Sequence, residues 1–427
     1  MGLLIRNARA LDPSEGLDET LDIFIQDGRI RALGRDIETG SGDACEVIDA
    51  TGLIAAPGLI DMHTHLREPG QEYKETIASG ARAAAAGGFT AVACMANTKP
   101  VNDNASTTRY IIERAREACV RVLPVAALTV GLQGTALTEM GDLKAAGAVA
   151  LSDDGRSIAD AQVMRLALEY ARSFEIPVLC HCEDASLSAA GVMHEGTVSA
   201  VLGLRAIAPT AEELIVQRDI ALAEWTGHCV HIQHVSTAAS VRIIRDAKAR
   251  GVRVTAETAP HYFTLTDEAV RGFDTNTKMN PPLRGAPDVA AIKQGLSDGT
   301  IDVIASDHAP HSSLEKDVEF DYAAFGIIGL ETMLPLTLAL VREGVLTLPQ
   351  AIEKFTCNPA AVLGYERARL KAGSAADITL IDPGMLWTLD RARLHSLSSN
   401  TPFLGHTFTG RALYTIVGGS VVHKHQV

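Results

Sequence analysis

No apolar run in this chain approaches the roughly 18 residues that a membrane span needs. The opening Met1-Gly2-Leu3-Leu4-Ile5-Arg6 carries no signal-peptide pattern, and position 6 lacks the Ser or Thr that myristoylation prefers. A cytoplasmic location with no membrane partner is therefore expected. A basic stripe is missing as well. The formal charge is -14, with acidic and basic residues intermixed, which argues against nucleic acid as a partner. An acidic chain can still bind an anionic substrate if it concentrates positive charge locally. Nor is there a disulfide framework. The seven cysteines (Cys45, Cys94, Cys119, Cys180, Cys182, Cys229 and Cys357) are odd in number, and most sit in apolar runs such as Ala93-Cys94-Met95. They read as reduced, mostly buried small hydrophobes.

What the chain does have is length and an alternating pattern. Its 427 residues, 47% of them hydrophobic, can fill a large core and exceed one small domain. A barrel of about 250 residues plus a smaller module fits that length. Residues 1–54 read as short strands and turns: Leu3-Leu4-Ile5, Asp22-Ile23-Phe24-Ile25 and Arg29-Ile30-Arg31-Ala32, with Asp27-Gly28 as a hairpin turn. Asp377–Ile381 and Tyr414–Val417, the latter followed by Gly418-Gly419, look similar, so one small β domain built from both termini is expected. Between them, strand-like runs end near Asp61, Met95, Ala126, Leu151, His181, His234, Glu257 and Asp307. Helix-like stretches separate them, among them Thr76–Ala86, Ser106–Ala118, Ala159–Phe174, Ala211–Trp225 and Ser240–Arg250. Eight strands alternating with helices predict a parallel α/β barrel. A doubly wound open sheet is the competing architecture, but no Gly-x-Gly-x-x-Gly follows the first strand.

Chemistry-bearing residues collect where the strands end. Pro57-Gly58-Leu59-Ile60-Asp61-Met62-His63-Thr64-His65-Leu66-Arg67 places two histidines two apart on a strand, hence on one face and able to share a metal. Taken alone, His-x-His can also arise by chance or serve packing. Later strand ends add Asp153 and Asp154, His181, His234 and Asp307, and in a parallel barrel these ends converge on one mouth. Imidazoles with carboxylates and no thiolate set suit zinc best, with manganese or cobalt as alternatives. Adjacent Asp153 and Asp154 face opposite ways, so one of them points into the site. The same choice holds for His231 and His234. Cys180 and Cys182 flank His181 and face away from it if His181 faces the metal.

On these residues the chain resembles the amidohydrolase superfamily and, more narrowly, the dihydroorotases of the longer bacterial type. The resemblance covers nearly the whole chain. It rests on His63-Thr64-His65-Leu66-Arg67-Glu68-Pro69-Gly70, Asn97-Thr98-Lys99-Pro100, Ser152-Asp153-Asp154-Gly155, His181-Cys182-Glu183-Asp184, His234-Val235-Ser236-Thr237, Lys278-Met279-Asn280-Pro281-Pro282-Leu283-Arg284 and Ser306-Asp307-His308-Ala309-Pro310-His311. Ala96 departs from the pattern, which has proline there.

The resemblance implies a (β/α)8 TIM barrel at 55–365 with a small β-sandwich domain formed by 1–54 and 366–427. It implies reversible cyclisation of N-carbamoyl-L-aspartate to L-dihydroorotate plus water in pyrimidine biosynthesis, with zinc-hydroxide attack on the ring amide in the hydrolytic direction. His63, His65 and Asp154 would bind one zinc, and His181 and His234 a second bridged by Asp154, so one or two ions are implied, with two expected. Asp307 would touch the first zinc and serve as general acid and base. Arg67, Asn97 and His311 would bind the substrate carboxylate, Asn280 the ureido end, and the backbone at Phe325-Gly326 would add hydrogen bonds. Many relatives bridge with a carboxylated lysine. Here the nearest lysine, Lys144, precedes the fourth strand, so none is expected.

Without the resemblance, the alternative for Arg67 is a barrel-mouth salt bridge to Glu68 or Glu72, and Asn97 and Asn280 read as loop caps or turn residues. His261 is read as structural. A hydantoinase- or allantoinase-type cyclic amidase is the alternative enzyme, and a non-catalytic scaffold for aspartate carbamoyltransferase the alternative of another class. A homo-oligomer and a complex with that transferase stay open as partners.

Overall fold

A computed structural model describes residues 2–38, 45–366 and 369–425. Expectations that touch residues 1, 39–44, 367–368 and 426–427 lie outside the described residues. Eight parallel strands, each hydrogen-bonded to its neighbours in the chain, run Leu59–Thr64, Phe89–Cys94, Arg121–Ala126, Ala150–Leu151, Val178–Cys180, Val230–Ile232, Val254–Thr258 and Val303–Ile304. A parallel bridge between Thr64 and His308 links the last strand to the first, and His65 N donates to His308 O at 2.8 Å. That closure decides for the barrel over the open sheet. The intervening helices include Ile77–Gly87, Ala105–Ala115, Ala161–Ser173, Thr210–Thr226 and Ala238–Ala249, each starting or ending within a few residues of its expected bounds.

Side-chain alternation builds two layers. Leu59 shares a core with Ile77 and Ala81 of the first barrel helix, whereas Ile60, Met62, Ala91, Ala93, Val125, Leu179 and Val303 fill the barrel interior. The first strand then slips in register: between Asp61 and Thr64 it advances three residues while its partner advances two, from Val92 to Cys94. Such a bulge re-aims side chains, and it lies where the first metal-type histidine must turn toward the mouth.

The strands from both termini form a single hydrogen-bonded sheet. Its order is 420–424, 407–417, 378–388, 54–57, 2–12, 17–26 and 29–34, with 45–49 beside 2–12. Leu3, Ile5, Ile23, Ile25, Ile378, Leu380 and Ile416 meet in one core, so both halves of the sheet share it. Two hairpin tips from opposite ends of the chain touch there. Gly28 has φ 73°, and a Cβ on it would lie 3.1 Å from Gly418 O, so only glycine gives both the left-handed turn and the close approach.

Within 366–427, residues 394–404 leave the sheet and pack on the barrel mouth, where Ser396, Ser398 and Asn400 are buried. All seven cysteines are free. Three of them (Cys94, Cys180 and Cys182) are buried, while the other four are only half-buried, which corrects the expectation of mostly buried thiols. Among the described residues no helix is long and apolar enough to cross a membrane.

Candidate metal centre and substrate pocket

At the C-terminal ends of the barrel strands, two triads of potential ligands stand side by side: His63, His65 and Asp307, and Asp154, His181 and His234. Within each triad the ligand atoms lie no more than 4.8 Å apart. Asp154 faces both. Its Oδ1 lies 3.4 Å from His63 Nε2 and 3.7 Å from His181 Nδ1 and His234 Nε2, while its Oδ2 lies 3.5 Å from His65 Nε2. Asp307 Oδ1 is 3.1 Å from His65 Nε2 and 3.5 Å from His63 Nε2. The choice between neighbouring residues is thereby made. Asp153 turns away and accepts from the backbone N–H of Leu128 and Thr129. His231 points down the barrel to Glu257. Cys182 faces Asp219, with 3.9 Å between Sγ and Oδ2.

The donor set fits a divalent cation. His63 Nε2 is buried with no hydrogen-bond partner, although it faces two carboxylates. His181 Nδ1 and His234 Nε2 point at each other from 2.7 Å. Imidazole nitrogens and carboxylate oxygens without thiolate make a zinc-type set. Lys144 lies outside the barrel, with its ammonium on Phe174 O, so it does not bridge these ligands.

Three of the histidines have their second ring nitrogen held by an oxygen. Glu257 Oε1 takes His63 Nδ1 at 2.5 Å, Asn97 Oδ1 takes His65 Nδ1 at 2.9 Å, and Glu183 Oε2 takes His181 Nε2 at 2.9 Å. Such partners select the tautomer and aim the ring. Glu257 in turn accepts from His231 at 3.2 Å, and His231 reaches Thr255 Oγ1 at 2.8 Å. Glu183 also accepts from Asn280 Nδ2 at 2.7 Å, which ties the partner of His181 to an amide that lines the same cavity.

Sequence reasoning missed Glu257 and Glu183 as site residues, and also Gln233, whose Nε2 lies 3.2 Å from His63 Nδ1 and whose Oε1 accepts from Ser152 Oγ at 2.9 Å. A signal existed for the first two. Glu257 interrupts an apolar strand, and Glu183 stands two residues from His181.

Charge is crowded here. Burial lowers the affinity of His63 for a proton, but Asp154, Glu257 and Asp307 outweigh it and hold the imidazole well above its ordinary pKa. His181 is likewise desolvated, yet Asp154 and Glu183 raise it to about 10. Burial would raise Asp154 and Asp307, but the surrounding histidines keep both carboxyls below their ordinary range.

His65, Arg67, Asn97, Asp154, His181, His234, Asn280, Asp307, His311, Phe325 and Gly326 line one cavity of about 250 Å³. His63 lies fully buried beneath it. Arg67 makes neither of the ion pairs weighed for it: Glu68 pairs with Arg114 at 2.7 Å, and Glu72 caps Gly70 N. Its Nε donates to Pro310 O at 3.2 Å and its Nη2 to His311 Nε2 at 3.4 Å. Burial lowers its pKa to about 10, against the pull of Asp307 and Asp154, so it remains cationic at neutral pH.

Arg67, His234 and Asp307 all adopt positive φ, at 62°, 35° and 47°, a conformation that costs about 1–3 kcal/mol at non-glycine residues and clusters at functional sites. His261 is buried beside the site, edge-on to Tyr262, with Nε2 unpartnered, and burial pushes its pKa down to about 4.

A family model described as "Dihydro-orotase-like" matches residues 52–240. The chain is 59% identical to a dihydroorotase of Pelobacter propionicus, over 99% of this chain and 100% of that protein. It is 60% identical to one of Geobacter sulfurreducens over the same shares. Among solved structures it resembles an L-hydantoinase (dihydropyrimidinase) from Arthrobacter aurescens, with TM-score 0.87 and 24% identity over 100% of this chain and 97% of the other. It also resembles a D-hydantoinase from a Thermus species, with TM-score 0.82 and 23% identity over 100% and 97%. At that identity the structural likeness speaks for the fold alone.

Because the neighbouring carboxylates favour the protonated forms of His63 and His181 in the metal-free protein, a cation competes with protons for the ring nitrogens. Titration of the metal-free chain with zinc at pH 7 should therefore release about one proton or more per chain, and affinity should fall as the pH is lowered. Calorimetry in two buffers of different ionisation enthalpy measures the release. Identical heats in both buffers would contradict the assigned protonation.

Proposed function

The chain belongs to the dihydroorotase family, and on that footing we propose that it interconverts N-carbamoyl-L-aspartate and L-dihydroorotate plus water. The observation that carries this reading is Arg67, a buried guanidinium without a carboxylate partner among the described residues, in the same cavity as both ligand triads. A buried cation left unpaired is costly, and a substrate carboxylate would supply the missing charge. The uncharged ring of a simple cyclic amide would not, which disfavours a hydantoinase-type activity. With a ligand donor present at every strand end that needs one, the scaffold reading loses its premise.

We assign one cation to His63, His65 and Asp307 and a second to His181 and His234, with Asp154 between them, and take zinc as the ion. When bound, such an ion supplies Lewis acidity, polarising the ring carbonyl and acidifying water. Everything else falls to the chain's own side chains. Arg67, with its planar two-pronged donor, holds the substrate carboxylate together with His311 and Asn97. Asn280, fixed by Glu183, faces the ureido end, and the Phe325-Gly326 backbone borders the ring. Asp307 moves the proton. In ring opening it accepts one from the attacking water and passes it to the departing ring nitrogen; in closure it takes one from the ureido nitrogen and gives it to the departing hydroxyl, which leaves as water. Held below the ordinary carboxylate range, it is ionised at neutral pH and has a free oxygen to receive the proton, and one carboxylate serves both directions.

Asp307→Asn should keep most bound zinc, because the four histidines and Asp154 remain, yet lose about 100-fold or more of its turnover in both directions. Metal analysis alongside dihydroorotate assays checks this, and substantial residual turnover would move the proton to another group, with His261 the first to test. Arg67→Met keeps length and removes charge. Its kcat/KM on dihydroorotate should drop at least about tenfold to a hundredfold, with far less change on dihydrouracil and none in zinc content. Equal losses on the two rings would show that Arg67 supports architecture and not specificity.

A further inference from the structure

The stretch that follows Arg391–Arg393 belongs to the C-terminal part of the chain, yet it is seated on the barrel mouth. Glu75, itself fully buried, accepts from Ser396 Oγ and from Leu397 N, and Ser398 Oγ donates to Lys74 O at 2.7 Å. These bonds deliver Asn400, which is 5% exposed. Its Oδ1 accepts from His311 N at 3.0 Å, and its Nδ2 donates to Ala309 O at 3.0 Å and to Gly326 O at 3.1 Å. Its backbone carbonyl accepts from Ile328 N at 3.0 Å.

One side-chain amide is thus spent wholly on two loops, and both loops border the substrate cavity. They meet at the limit of approach. Gly326 has φ 108°, and a Cβ on it would lie 2.6 Å from Ala309 Cβ. Arg67 leans on the first loop through Pro310 O and His311. Asn400 does not line the cavity itself.

We propose that Asn400 is a positioning residue for the carboxylate-binding end of the pocket. It staples the loop of Ala309 and His311 to that of Gly326, so that Arg67 and His311 present a preformed anion seat. The proposal rests on reading the pocket as a dihydroorotate site. A fully satisfied buried amide rigidifies the groups around it. Removing it leaves the His311 amide and two carbonyls without partners in a buried place, and a pocket looser by a fraction of an ångström binds its anion less well.

Asn400→Ala tests this in the zinc-loaded full chain, with Asn400→Asp as the isosteric variant that keeps an acceptor for His311 N and loses both donors. In both, KM for dihydroorotate should rise about tenfold or more, while kcat stays within about threefold and zinc content is unchanged. KM for dihydrouracil, which has no carboxylate, should hardly move. Independently of activity, amide exchange in peptides covering 309–311 should quicken about tenfold or more in the alanine variant. Unchanged KM in both variants, or loss confined to kcat and zinc content, would overturn the proposal and leave Asn400 a packing residue. Absence of dihydroorotate turnover in the unsubstituted chain would instead overturn the reaction, and the exchange comparison alone would then decide the staple.

Discussion

Everything at the barrel mouth follows from one electrostatic constraint: Asp154 and Glu257, fully buried, and Asp307, largely buried, lie within reach of His63, His65, His181 and His234. Carboxylates taken out of water cost several kcal/mol each unless a cation is nearby. In the metal-free chain, protons on His63 and His181 supply the compensation, which is why their pKa values lie above the ordinary imidazole range. A divalent ion provides the same charge more compactly and frees the ring nitrogens to bind it. The cluster makes poor sense as packing. As a metal centre, each of its unusual features has a use.

Holding that cluster requires layers of support. The bulge in the first strand aims His63, Glu257 and Asn97 pin two rings by their far nitrogens, and Glu183 pins a third while also holding Asn280. Backbone strain is concentrated at Arg67, His234 and Asp307, where the loops must turn sharply for the side chains to converge. The segment around Asn400 closes the arrangement from the C-terminal part of the chain. Each support acts on a residue that we assign to metal or substrate, so a change in it would alter geometry before it altered fold.

Much of this was legible in the sequence, because strand–helix alternation and strand-end chemistry are local signals. His63, His65, Asp154, His181, His234 and Asp307 sit at the ends of apolar runs, and the parallel barrel brings those ends together by its topology alone. Arg67, Asn97, Asn280 and His311 were named through family resemblance, and all four line the same cavity. The supports were not legible. Glu257 meets His63 across 194 residues, and Asn400 meets His311 across 89, separations over which no periodic pattern carries information. The bulge at Asp61–Thr64 leaves the hydrophobic alternation of the first strand looking regular. Residues 394–404 read as part of a terminal β module, since nothing in their composition announces that their serines and asparagine find buried partners on the barrel.

The central claim, that ions held by the two triads make this cavity an active site for a carboxylate-bearing cyclic amide, is tested most directly by restoring metal to stripped protein. Chain freed of metal by chelation should open dihydroorotate at a negligible rate. Zinc added in increments should restore activity in proportion to the ion bound, reaching a plateau at one to two equivalents per chain. Full activity in the stripped protein, or zinc that binds with no return of ring opening, would contradict the account.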